Sequence, residues 1–168
     1  ARLVLRSHGL ESTIIRDRLR ELFTNQQISL SRIDLLPGVE HRTLLASYAT
    51  IDLALDPTPY SGGLTTCEAM WMGVPVVTLR GDRFCGRHST AHLQTVGLKE
   101  FIAQSEAEVV SIAQRFSVDL EALIKVRQDL RERMFQSPLC DAKSYTADFE
   151  AKLREAWTRW CRREIHGS

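Results

Sequence analysis

Short apolar runs alternate with segments of helical period over the first hundred residues, and this alternation constrains the fold more than any other feature of the chain. Leu3–Leu5, Arg32–Leu36, Ile51–Leu55, Pro75–Leu79 and Phe101–Ala103 read as strands, set off by Pro, Gly and Asp punctuation such as Pro37-Gly38 and Asp56-Pro57. Between them, residues 11–27, 40–49, a segment running through Trp71 to Gly73, and 86–96 read as helices. Strand–helix–strand units need crossover connections, so the sheet is expected to be parallel with right-handed crossovers. From residue 105 the pattern becomes purely helical, with amphipathic stretches at 105–116, 119–136 and 144–163. In the last, Tyr145, Phe149, Leu153, Trp157 and Trp160 share one face, which reads as a packing stripe rather than a cofactor site. The expected architecture is α/β: a Rossmann-like parallel sheet with helices on both faces, followed by a helical tail. One unit is expected over residues 1–168, with 1–104 as the βαβ core and 105–168 as a tail packed on that sheet or on a neighbour outside the chain.

A chain of 168 residues suits one domain and buries roughly 70% of its unfolded surface without staples. Lys plus Arg is 22 and Asp plus Glu is 21, so the formal net charge is +1 and no strongly basic surface exists to make nucleic acid a partner. No apolar stretch approaches the ~20 residues of a membrane span. Cys67, Cys85, Cys140 and Cys161 form no CxxC pair, so they are expected to be free thiols in a reducing, cytoplasmic compartment. The N-terminus has no signal-peptide core and starts without Met, so the chain is expected to be a piece of something longer.

Chemistry is expected beyond the carboxyl ends of the parallel strands. The informative segment is Leu55-Asp56-Pro57-Thr58-Pro59-Tyr60-Ser61-Gly62-Gly63-Leu64-Thr65-Thr66-Cys67-Glu68. Two prolines stiffen the strand exit, and two glycines allow close backbone approach. A helix then opens, and its free N–H groups and positive dipole end favour an anion such as phosphate. A tight strand-to-helix turn is the plain alternative, and neither GxGxxG nor GxxxxGK[ST] is present. Glu68 has two readings. In one it closes a capping box with Thr65 as N-cap. In the other its two acceptor oxygens take both hydroxyls of a ribose. Arg80, Arg83 and Arg87 follow the fourth strand and are candidates to meet a diphosphate, with solvated loop arginines as the alternative. His41 starts a helix and is a candidate to stack on a base; an exposed helix-start histidine is the alternative. His88 and His92 lie four apart without the HExxH glutamate, so no metal site is expected. No G-x-S-x-G nucleophile elbow is present.

The run from Asp52 to Leu79, together with Gly81-Asp82-Arg83-Phe84-Cys85-Gly86-Arg87-His88-Ser89 and Ser137-Pro138-Leu139-Cys140-Asp141, resembles the bacterial O-linked N-acetylglucosamine transferases of the SPINDLY type over nearly the whole chain. That resemblance implies the C-terminal, donor-binding lobe of a two-lobed GT-B glycosyltransferase, usually preceded by tetratricopeptide repeats. It implies UDP-N-acetylglucosamine as donor, protein Ser or Thr as acceptor, inversion, and no metal or other cofactor. It places the ribose-binding acid on Glu68, the diphosphate turn on Gly63, Leu64, Thr65 and Thr66, and the base contact on His41, with Gly62 a further candidate binding residue beside that turn. Where many relatives have His-Thr-Thr, this chain has Gly63-Leu64-Thr65, so backbone donors would replace the missing side chains. The catalytic residues would lie in the other lobe. A non-catalytic scaffold derived from such a lobe is the alternative, and a nucleotide-sugar epimerase of related architecture is a third reading.

Overall fold

A computed structural model describes residues 1–166; the last two residues of the expected unit lie outside it. Among the described residues, five strands and seven α-helices appear in the expected order: β1 Leu3–Ser7, α1 Thr13–Asn25, β2 Ile33–Pro37, α2 His41–Ser47, β3 Ala54–Leu55, α3 Leu64–Trp71, β4 Val76–Leu79, α4 His88–Val96, β5 Ile102–Ala103, α5 Glu106–Val118, α6 Leu120–Phe135 and α7 Ala142–His166. Every strand pairing is parallel, as the alternation of elements predicts.

The chain divides into two compact units, Ala1–Thr50 and Ile51 onward. In the first, β1 and β2 pair from Leu3 with Ile33 to Ser7 with Pro37, and Arg2 forks onto the Asp34 carboxylate at 2.7 and 3.0 Å. α1 carries the expected apolar positions, yet Ile14, Ile15 and Leu22 on it are exposed.

The second unit holds a three-stranded sheet in the order β3-β4-β5. β4 is central, so Val76, Val77 and Thr78 are buried. The third strand is shorter than the apolar run suggests. The carbonyls of Ile51 and Asp52 accept from Arg127 Nη1 at 2.7 and 2.8 Å and so are engaged outside the sheet. Two further arginines of α6 act in the same way. Arg131 Nε donates to the Trp71 carbonyl at 2.7 Å and Arg133 Nη2 to the Gly97 carbonyl at 2.9 Å. Cations thus meet the carbonyls at the C-terminal ends of α3 and α4, where the helix dipole favours them.

Both helices stop on a left-handed glycine. Gly73 (φ 77°) and Gly97 (φ 78°) turn the chain. Val74 N–H then returns to the Ala69 carbonyl, and Leu98 N–H to the Leu93 carbonyl, each at 2.8 Å. Val74 and Leu98 are fully buried, which is the apolar contact this stop motif carries. Met70, Leu93, Phe101 and Leu130 complete the core, with Phe101 stacked on Phe116 at 4.3 Å.

The tail helices differ from one another. α5 packs on β4 and β5, and α6 packs on α3. α7 leaves Tyr145, Phe149, Leu153, Trp157 and Trp160 at least half exposed, so its stripe does not pack on the sheet.

Candidate functional site at the start of α3

The loop from β3 to α3 is held by side chains at its base. Asp56 N–H continues the sheet by donating to the Val77 carbonyl at 2.9 Å. The Asp56 carboxylate then turns back on the loop. Oδ1 accepts from Gly62 N–H at 2.6 Å and Oδ2 from Thr78 Oγ1 at 2.7 Å. Within this closed loop the Thr58–Pro59 peptide is cis. Gly62 has no room for a side chain: a Cβ would sit 2.6 Å from Thr66 Oγ1 and 2.8 Å from Thr65 Oγ1.

Gly63 is different. A Cβ there would meet nothing within 4 Å, and Gly63 is the N-cap of α3. The helix therefore opens at Leu64, not at Thr65. This corrects the capping-box reading: Thr65 lies inside the first turn and is not the N-cap that a box with Glu68 requires. Leu64 and Thr65 are exposed and Glu68 is half-buried one turn further on. The first N–H groups of a helix have no intrahelical acceptor, so this end of α3 offers donors and a positive dipole end to an anion.

Thr66 has another task. Its side chain is buried, and Oγ1 is 2.7 Å from Ser89 Oγ. Its hydroxyl faces the protein, so Thr66 can contribute only its backbone N–H to the turn. The N-terminus of α4 is likewise occupied. Ser61 Oγ accepts from His88 N–H at 3.0 Å and from Ser89 N–H at 3.4 Å, capping α4 from 27 residues away. The first N–H groups of α4 are thus bonded to Ser61, whereas the N-cap of α3 is a glycine with no side chain to cap it.

Arg87 donates through Nε to the Gly81 carbonyl at 3.2 Å, so it fastens the loop after β4. That loop closes on itself, with Gly81 N–H on the Gly86 carbonyl at 3.0 Å and glycine facing glycine. A Cβ on Gly81 would lie 2.8 Å from the Gly86 carbonyl oxygen. Arg80 and Arg83 line a cavity of about 530 Å³ with Pro57, Ser61, Asp82 and Glu106. Two cations and two carboxylates thus share its lining, which does not include residues 63–68.

The His88 ring packs edge-on against Phe84 at 4.7 Å. Burial pushes the His92 imidazole toward its neutral form, as does His88, while Asp56 opposes this. Burial, then Cys140 and Glu68, holds the Cys67 thiol above its usual range. All four cysteines are free. Among the described residues no three His, Cys, Asp or Glu side chains are grouped to hold a metal ion, and no helix is long and apolar enough to cross a membrane. His41 is the exposed first residue of α2, in the first unit.

Asp56, Ser61 and Ser89 escape a reading of the sequence. Asp56 alone leaves a local trace: an Asp at a strand exit, six residues before a glycine, suits a side chain that folds back on the backbone. Ser61 and Ser89 act across 23 to 28 residues, beyond any local signal.

Comparison with known proteins places this geometry. Residues 17–149 match the family model described as Glycosyl transferase family 41. A probable UDP-N-acetylglucosamine–peptide N-acetylglucosaminyltransferase SPINDLY of Petunia hybrida is 33% identical over 96% of this chain and 17% of its own length. Its counterpart from Hordeum vulgare is 38% identical over 86% of this chain and 16% of its own. The solved structure of a mutant Thermobaculum terrenum O-GlcNAc transferase superposes with a TM-score of 0.91 at 37% identity, covering 96% of this chain and 31% of that one. The chain therefore spans less than a fifth of the length of these curated relatives.

Proposed function

This chain belongs to glycosyl transferase family 41, and we propose that it is the donor-binding lobe of a GT-B glycosyltransferase that moves N-acetylglucosamine from UDP-N-acetylglucosamine to protein Ser or Thr with inversion. The observation that carries the reading is the open start of α3. It follows the carboxyl end of the parallel strand β3 after the loop of residues 56–63, its N-cap is a glycine with empty space in front of it, and the neighbouring α4 start is already capped.

In this reading the diphosphate of the donor rests on the backbone N–H groups at Gly63–Thr66, and the Glu68 carboxylate takes the ribose hydroxyls. As the bond to the sugar breaks, negative charge grows on the departing UDP. Fixed donors and the positive end of α3 stabilise that charge without reorganising. The base contact on His41 rests on the resemblance alone. Acceptor and catalytic groups come from a second α/β lobe, and tetratricopeptide repeats and a cytoplasmic location follow the family pattern.

Half a cleft leaves much of the nucleotide in water. UDP is therefore expected to bind this chain with a dissociation constant on the order of 0.1–10 mM. Calorimetric or fluorescence titration with UDP checks this, with orthophosphate at equal ionic strength as the control. A saturable UDP response that phosphate does not reproduce supports the reading. No saturable response to UDP supports the scaffold alternative instead.

A further inference from the structure

We infer that Ser89 is a positioning residue for the diphosphate turn, acting through the backbone of Gly62; this rests on the donor-site reading above. The Ser89 side chain is fully buried and touches no open surface. Its Oγ donates to the Gly62 carbonyl at 2.9 Å and lies 2.7 Å from Thr66 Oγ1. A serine hydroxyl has one hydrogen, and Gly62 takes it, so Thr66 is the donor in the second bond. Thr66 belongs to the first turn of α3, and Ser89 to the first turn of α4. One hydroxyl thus ties the start of the candidate anion-binding helix, the glycine before it and the next helix together.

Gly62 is pinned from the other side as well. Its N–H donates to Asp56, so both polar backbone groups of this residue are held by side chains. Fixing both groups sets the planes of the peptides that flank Gly62, and hence the direction of the Gly63 N–H group, which shares a plane with the Gly62 carbonyl. Donors fixed before the ligand arrives cost no ordering when it binds. Removing the Ser89 hydroxyl leaves the Gly62 carbonyl and the Thr66 hydroxyl without this partner in a buried place, which the turn relieves by moving.

The test separates aiming of the phosphate donors from general damage. In the longest natural form of the protein, Ser89→Ala is expected to weaken UDP binding at least about fivefold, because a buried polar pair is broken. Uridine, which has no phosphate to place on the turn, is expected to bind within about twofold of the parent by the same argument. Ser89→Cys keeps the packing with a weaker donor and is expected to fall between parent and alanine variant; it carries the test if Ser89→Ala does not fold. Thr90→Val is the control: Thr90 is the next residue of α4, its hydroxyl is buried without a partner, and its loss should leave both affinities unchanged. Equal losses for UDP and uridine, or no loss for UDP, overturn the assignment. A parent protein with no saturable UDP binding refutes the donor-site reading itself, and this role with it.

Discussion

Replacing Glu68 by glutamine is expected to weaken UDP binding about ten- to hundredfold, the equivalent of roughly 1.5–3 kcal/mol for one charge-assisted hydrogen bond. A carboxylate offers two acceptor oxygens to a vicinal diol and no competing donor. Glutamine keeps one oxygen and turns an amide donor toward a hydroxyl that must itself donate. The position suits the role: Glu68 is half-buried on the second turn of α3, whose start holds the phosphate in this account. Gly63 rather than Thr65 caps the helix, and the exchange is near-isosteric and keeps an acceptor oxygen toward the protein, so the variant should change folding stability by less than about 0.5 kcal/mol. UDP affinity and the urea midpoint, measured on both proteins in the longest natural form, check this. Unchanged affinity with a lowered midpoint would make Glu68 a structural residue only.

Phe101→Ala is expected to cost about 3–5 kcal/mol of folding stability, the range for emptying a buried aromatic site. Phe101 is fully buried and stacks on Phe116 of α5 with ring centroids 4.3 Å apart and planes 11° from parallel. It sits just before β5, so the cavity would open where the sheet meets the first tail helix. Against a total stability of roughly 5–15 kcal/mol, that loss brings the chain close to unfolding at physiological temperature. Urea denaturation at 25 °C measures it. A loss below about 1 kcal/mol, the level of an ordinary surface change, would show that the β5–α5 contact is not part of the cooperative core.

The elements of this fold are legible in the chain because each is written locally. β4 is a run of Val76, Val77, Thr78 and Leu79 after Pro75, and α3 and α4 end where Gly73 and Gly97 permit a left-handed turn. The phosphate-directed turn is legible for the same reason, since its glycines and the helix start are consecutive. What could not be read is non-local. Nothing near Thr66 in the chain shows that its hydroxyl meets Ser89, 23 residues later. The run at Ile51–Leu55 suggests five strand residues, yet Arg127, about 75 positions away, takes two of its carbonyls. Arg87 follows a strand as a diphosphate-binding arginine would, and that pattern carries no sign of its Nε bond to the Gly81 carbonyl. The α7 stripe has perfect amphipathic spacing, and spacing alone does not say whether a face is covered.

The central claim is that a nucleoside diphosphate rests on the open start of α3, and residue-resolved amide shifts during a UDP titration test it most directly. The largest shifts are expected on Gly63, Leu64, Thr65 and Thr66, saturating along one binding curve. The amides of His88 and Ser89, already bonded to Ser61, should shift less. Shifts that instead gather on the helices after residue 105, or scatter without saturating, would contradict it.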